Sequence, residues 1–149
     1  MELHDLYRNT FDYYKLYLKQ RTDSFNFFLV LAGLLVSATA VALTQLGEVN
    51  RAMYLIAMAL STATSVTSIL FKRLDARTRQ FIGATETILM SYESELGSKR
   101  MMLFTTTEHL RHNPAKGATT MGKVFSCIYY MFFLFGLLGF VASAVLIVM

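Results

Sequence analysis

"AMYLIAMALSTATSVTSILFKRLDARTRQFI", residues 52–82, decides the fold. Its first twenty residues, ending at Phe71, carry no charge. At about 1.5 Å of rise per residue they reach roughly 30 Å as a helix, the thickness of a bilayer's hydrocarbon core. No Gly, Pro or turn residue separates them from the basic stretch that follows, so the helix is expected to continue beyond the membrane surface. Two more uncharged runs have the same character: "FNFFLVLAGLLVSATAVALTQL", residues 25–46, and "VFSCIYYMFFLFGLLGFVASAVLIVM", residues 124–149. They are continuously apolar instead of alternating, so helices, not barrel strands, satisfy their backbone polar groups in lipid. The expected fold class is all-α, a polytopic membrane protein with three transmembrane helices and amphipathic cytoplasmic helical extensions.

Composition agrees with this reading. Of 149 residues 54% are hydrophobic and only 16% charged, which argues against a soluble domain. The remainder leaves no room for a separate enzyme domain. We expect a single helical membrane domain, 1–149: an amphipathic helix over 1–24, spans over 25–46 and 52–71, a second amphipathic helix over 72–97, a loop over 98–123 and a last span over 124–149. A cleaved signal peptide is not expected, because 24 residues rich in charge and tyrosine precede the first apolar run. Cys127, the sole cysteine, reads as a small apolar packing residue inside the third span.

The 14 basic residues set the orientation. Arg8, Lys15, Lys19 and Arg21 precede the first span, Arg51 stands alone between the first two, and nine fall between Lys72 and Lys123. The positive-inside rule then places the N-terminus and residues 72–123 in the cytoplasm, "GEVNR" (47–51) outside, and the C-terminus outside. Arg21, Lys72, Arg73 and Arg77 mark the membrane boundary. The pI near 9.3 is explained by topology, so no nucleic-acid partner is expected.

Leu3, Tyr7, Phe11, Tyr14 and Leu18 recur at steps of three or four, the period of one helix face. Thr22, Asp23 and Ser24 either cap a fresh start for the first span or lie within one continuous helix. After the second span, Leu74, Thr78, Phe81, Thr85, Ile88 and Tyr92 keep the same period, and Ile82, Leu89 and Leu96 repeat every seven residues beside them. Phe81, Ile88 and Tyr92 are the candidate face for a cytosolic partner or for self-association. Asp75 and Arg79 stand four apart, the spacing of a local ion pair, and Gly97 is a natural helix stop. In the loop, "MMLF" (101–104) suits docking on the inner leaflet or a partner. His109 and His112 lack further ligands at metal-binding spacing, so no metal is expected. No phosphate-binding loop, dinucleotide fingerprint or nucleophile elbow is present, so neither catalysis nor a cofactor is expected.

No Asp, Glu, Lys, Arg or His lies within the spans, which argues against ion-coupled pumping. The second span instead carries hydroxyls: Ser61, Ser65 and Ser68 share one face, with Thr64 beside them. Such a face packs helices closely or, with several copies around it, lines a hydrated pore. Gly33 and Ser37 in the first span, and Gly136, Gly139 and Ser143 in the third, carry small residues of the same kind. Three helices are too few to enclose a channel, so any pore requires a homo-oligomer in the bilayer.

The order of parts, a Tyr-rich helix ending in "KQRTDSFNFFLVLAGLL", a tight membrane hairpin and then "FKRLDARTRQFIGATETILMSYESELG", resembles the small bacterial membrane effectors of antiphage systems. It is most similar to the two-helix SLATT type found beside nucleotide-signalling, reverse-transcriptase and RADAR-like genes. The resemblance covers roughly residues 10–97. It implies an inner-membrane protein held quiet until infection is sensed, which then oligomerises and permeabilises the membrane. The alternative is a membrane-anchored scaffold for a cytosolic defence protein. On this resemblance Arg21 with Phe25 to Phe28, and Lys72, Arg73, Leu74, Asp75 and Arg77, are the matching boundary residues. The third span departs from the two-helix plan.

Overall fold

A computed structural model describes residues 3–44, 51–96 and 121–148, and all of them are helical. Helix α1 runs Leu3–Thr44, α2 runs Arg51–Leu96 and α3 runs Met121–Val148; there is no strand among the described residues. Each contains a stretch long and apolar enough to cross a membrane. Of the expected turn at 47–51, Arg51 opens helix α2 instead, and the rest lies outside the described residues, as do the stop at Gly97, the "MMLF" patch and the two loop histidines.

Helix α1 does not restart before its span. Thr22 Oγ1 donates to the Leu18 carbonyl at 3.1 Å, so its hydroxyl bonds back along the helix instead of capping a new one. Helix α2 likewise continues through Lys72 and Arg73. Helix α3 begins at Met121, three residues ahead of the apolar run.

The chain divides into two compact units. One holds residues 24–74 and 121–149 and contains the apolar spans. Its aromatic cluster joins Phe25, Phe28 and Ala32 of α1 to Phe125 and Tyr129 of α3, with Phe71 of α2 packed against it. Phe25 stacks on Phe125 at 3.7 Å between ring centroids, and Phe28, fully buried, meets Tyr129 edge-on at 4.7 Å and Phe71 at 5.3 Å. Lipid tails are as apolar as these rings, so what holds the helices together is close dispersion contact and ring geometry, not water exclusion. Leu34, Val41, Val66, Leu134 and Leu138 stand exposed, as lipid-facing positions do. Cys127 is also exposed on α3, so it is not packed inside the chain as its apolar surroundings suggest.

The other unit holds residues 1–23 and 75–120. Here α1 and α2 run antiparallel, joined by polar rungs at seven-residue steps along α1. Tyr7 donates to Glu93 at 3.4 Å, Tyr14 to Glu86 at 3.3 Å, and Arg21 Nε to Asp75 at 2.6 Å. The buried positions of α2 in this unit are Asp75, Thr78, Ile82, Thr85, Leu89 and Glu93, the 3.5-residue period of a coiled-coil seam.

Candidate functional site

Among the spans, the hydroxyl face of α2 is buried inside the chain. Ser61, Thr64 and Ser68 are each about 1% exposed. Thr64 and Ser68 donate to the carbonyls of Leu60 and Thr64 at 2.9 and 2.8 Å, which satisfies them within their own helix. Ser65 is half-buried, and its hydroxyl reaches the Phe133 carbonyl of α3 at 3.5 Å, a long contact. Ser61 Oγ is buried without a hydrogen-bond partner among the described residues, at a typical cost of about 1–3 kcal/mol.

The glycines of α3 explain why these hydroxyls lie so close. A Cβ at Gly136 would stand 2.7 Å from the Ser61 carbonyl oxygen and 2.9 Å from the Ser65 amide nitrogen. At Gly139 it would stand 2.6 Å from Ser61 Oγ and 3.5 Å from a methyl of Thr39. Gly136 therefore requires glycine for backbone-to-backbone approach, whereas at Gly139 the obstacle is the Ser61 side chain. A partly open cavity of about 300 Å³ adjoins them, lined by Thr39 and Leu43 of α1, Ser61 and Thr64 of α2, and Phe135 and Ala142 of α3. Ser143 is buried one turn farther on and donates to the Gly139 carbonyl at 2.8 Å.

The boundary residues separate into different roles. Asp75 is 6% exposed and accepts from Arg21 on one oxygen and from Arg79 on the other, at 2.6 Å to each guanidinium. The expected local pair with Arg79 is present, but the buried interaction is the one with Arg21 on another helix. Lys72 lies over the Tyr130 ring, 3.8 Å from its centroid, and donates to the phenol oxygen. Arg73 and Arg77 are exposed, with the Arg77 guanidinium 5.7 Å from the Phe81 ring. Phe81 and Ile88 are exposed and Tyr92 half-buried, beside the seam instead of in it; Phe81 is flanked by Tyr17 at 5.7 Å.

Glu86, Glu93, Tyr7 and Tyr14 are polar seam residues that sequence periodicity did not single out as such. Their signal was the seven-residue spacing of Tyr7, Tyr14 and Arg21. Burial raises the Tyr7 phenol above its ordinary value of 10.0, helped by the nearby Glu93 charge and the hydrogen bond to it.

These features define a small membrane protein with three spanning helices among the described residues, held by small-residue and hydroxyl contacts. The chain belongs to the octameric membrane protein family (8xMP), whose pattern matches residues 4–145. It is an oligomeric membrane protein of copies of one chain. No curated protein and no solved structure matches it.

Proposed function

We propose that this chain assembles as a homo-octamer in the bacterial inner membrane, N-terminus cytoplasmic and C-terminus periplasmic, and acts as a SLATT-like antiphage effector that permeabilises the membrane. It works without a cofactor, a metal or catalysis. The observation that carries this reading is the chemistry of the buried face of α2. Seven of its buried positions are polar: Ser61, Thr64, Ser68, Asp75, Thr78, Thr85 and Glu93. Polar and small-residue contacts can form again with a neighbouring copy, whereas an interlocked aliphatic core has one good arrangement. A helix that can exchange a buried hydroxyl face between its own chain and a shared lumen suits a protein that is quiet until triggered. Family membership supports the assembly, and the resemblance supports the defence role.

The second reading, a scaffold recruiting a cytosolic defence protein, is favoured by the exposure of Phe81 and Ile88. The two are separated by comparing variants in infected cells at equal membrane abundance. Ser61→Leu with Ser65→Leu should alter infection-triggered depolarisation in the effector reading. If that pair has no effect, while polar substitutions at Phe81, Ile88 and Tyr92 abolish protection with oligomer mass unchanged, the scaffold reading stands instead.

A further inference from the structure

We infer that neighbouring copies join through two different helix faces, the Tyr13/Leu16/Asp23 face of α1 on one copy seating on the Arg77/Phe81/Ile88 face of α2 on the next. The inference rests on the oligomeric reading above and names its surfaces. On α1, Asn9, Tyr13, Leu16, Gln20 and Asp23 follow one another at steps of four and three on the side away from the intrachain seam, and all five are exposed. On α2, Arg77, Phe81, Ala84, Ile88 and Ser91 follow at the same steps beside the seam, and all five are exposed. Tyr13 is 61% exposed, Leu16 56%, Phe81 44% and Ile88 45%, although none lies in an apolar span. Both strips have the 3.5-residue period at which two helices mesh.

A second copy is the occupant that the observations select. The chain belongs to an oligomeric family, and a closed ring of more than two copies is built from two different, complementary faces. Ring symmetry also fixes the register. Rotation about the ring axis leaves each residue's height unchanged, so the levels read within one chain hold between chains. The rungs Tyr7–Glu93 and Tyr14–Glu86 sum to 100 and the Arg21–Asp75 pair to 96, so residue n of α1 is level with residue 100 − n of α2 near Tyr7 and Tyr14 and with residue 96 − n near Arg21. For helices along the ring axis, Leu16 then lies near the level of Ala84 and Tyr13 within one residue of Ile88, while Gln20 and Asp23 lie within about a turn of Phe81 and Arg77, in reach of their long side chains.

The chemistry at those levels is complementary. Asp23 and Arg77 carry opposite charge, and neither belongs to an ion pair among the described residues. Leu16 is a large side chain opposite a small one, Ala84, and Tyr13 is an aromatic opposite a β-branched aliphatic. Opposite charge at one end of the strip fixes direction and register, and the apolar pairs exclude water.

The test is oxidative cross-linking of full-length protein in membranes, with the sole cysteine removed by Cys127→Ser. Tyr13→Cys combined with Ile88→Cys should give a ladder of covalent multimers on non-reducing gels, and each single cysteine should give none. Multimers from either single variant would mean like faces meet, which overturns the proposal. No cross-linking in the double variant, with native mass still oligomeric, overturns the face assignment and leaves the oligomer standing. A monomeric native mass for the unsubstituted protein overturns the oligomeric reading beneath it. As an independent arm, Asp23→Arg and Arg77→Asp should each lower the oligomer mass, and the two together should restore it. Failure of the double reversal to restore assembly counts against the register.

Discussion

Adding a single methyl group at Gly136 or Gly139 gives two outcomes that differ for a reason visible in the structure. A Cβ at Gly136 meets the Ser61 carbonyl oxygen at 2.7 Å and the Ser65 amide nitrogen at 2.9 Å, both backbone atoms of α2. Neither can move without its helix, so α3 must retreat by about 0.7 Å to bring the first contact to an ordinary 3.4 Å. Overpacking of this kind costs about 1–3 kcal/mol. The greater helix propensity of Ala offsets about 0.5–1 kcal/mol of it. Gly136→Ala should therefore lose about 1–2 kcal/mol, a factor of 5–30 in the folded-to-unfolded ratio. At Gly139 the added carbon meets Ser61 Oγ, a side-chain atom. Ser61→Ala removes that atom and the unpartnered hydroxyl together, so it should be neutral or stabilising alone and should restore most of the stability lost in Gly139→Ala. It should do nothing for Gly136→Ala. Unfolding in mixed micelles with increasing dodecyl sulfate, followed by circular dichroism, measures wild type and all five variants. Wild-type stability for Gly136→Ala, or its rescue by Ser61→Ala, would refute the close backbone packing of α2 on α3.

Asp75→Ala should be costly, on the order of 3–5 kcal/mol, because it leaves the Arg21 guanidinium, 14% exposed, without its carboxylate; Arg79→Ala, at the more exposed end, should lose under about 1 kcal/mol in the same unfolding assay. The raised Tyr7 phenol makes folding pH-dependent: the folded state holds that proton more tightly, so the contribution is complete below pH 10.0 and is lost as pH rises through the elevated folded value. Tyr7→Phe should therefore flatten the fall in stability above about pH 10, measured against wild type at each pH. Phe28→Ala should destabilise the span unit by about 3–5 kcal/mol, whereas Phe27→Ala, at a position 61% exposed, should cost far less.

The long apolar runs made the three spans legible, since a bilayer demands length and apolarity and little else. The unbroken passage of α2 through Phe71 to Arg79 was equally legible, from the lack of any helix-breaking residue. The seam outside the spans was harder to see. The sequence pattern names Thr78, Ile82, Thr85 and Leu89, which are buried in the seam, together with Leu74, Phe81 and Ile88, which are exposed, and it misses Glu93. A seam built partly from polar residues is invisible to a hydropathy pattern. In α1 the same effect favours Leu18, which is exposed, over Arg21, which is half-buried against Asp75. The Arg21–Asp75 pair depends on the register between two helices 54 residues apart in sequence, and no local spacing encodes that. The hydroxyls of α2 stood out in sequence, but their burial against Gly136 and Gly139 comes from helix rotation, which small-residue spacing suggests without fixing.

The most direct test of the account is the membrane potential of living cells carrying this chain with its genetic neighbours, followed with a potential-sensitive dye through phage infection. A triggered pore-forming effector gives a stable potential before infection and collapse after it, with the collapse absent when the chain is deleted. An intact potential under every triggering condition, in cells that the chain nevertheless protects, would contradict it.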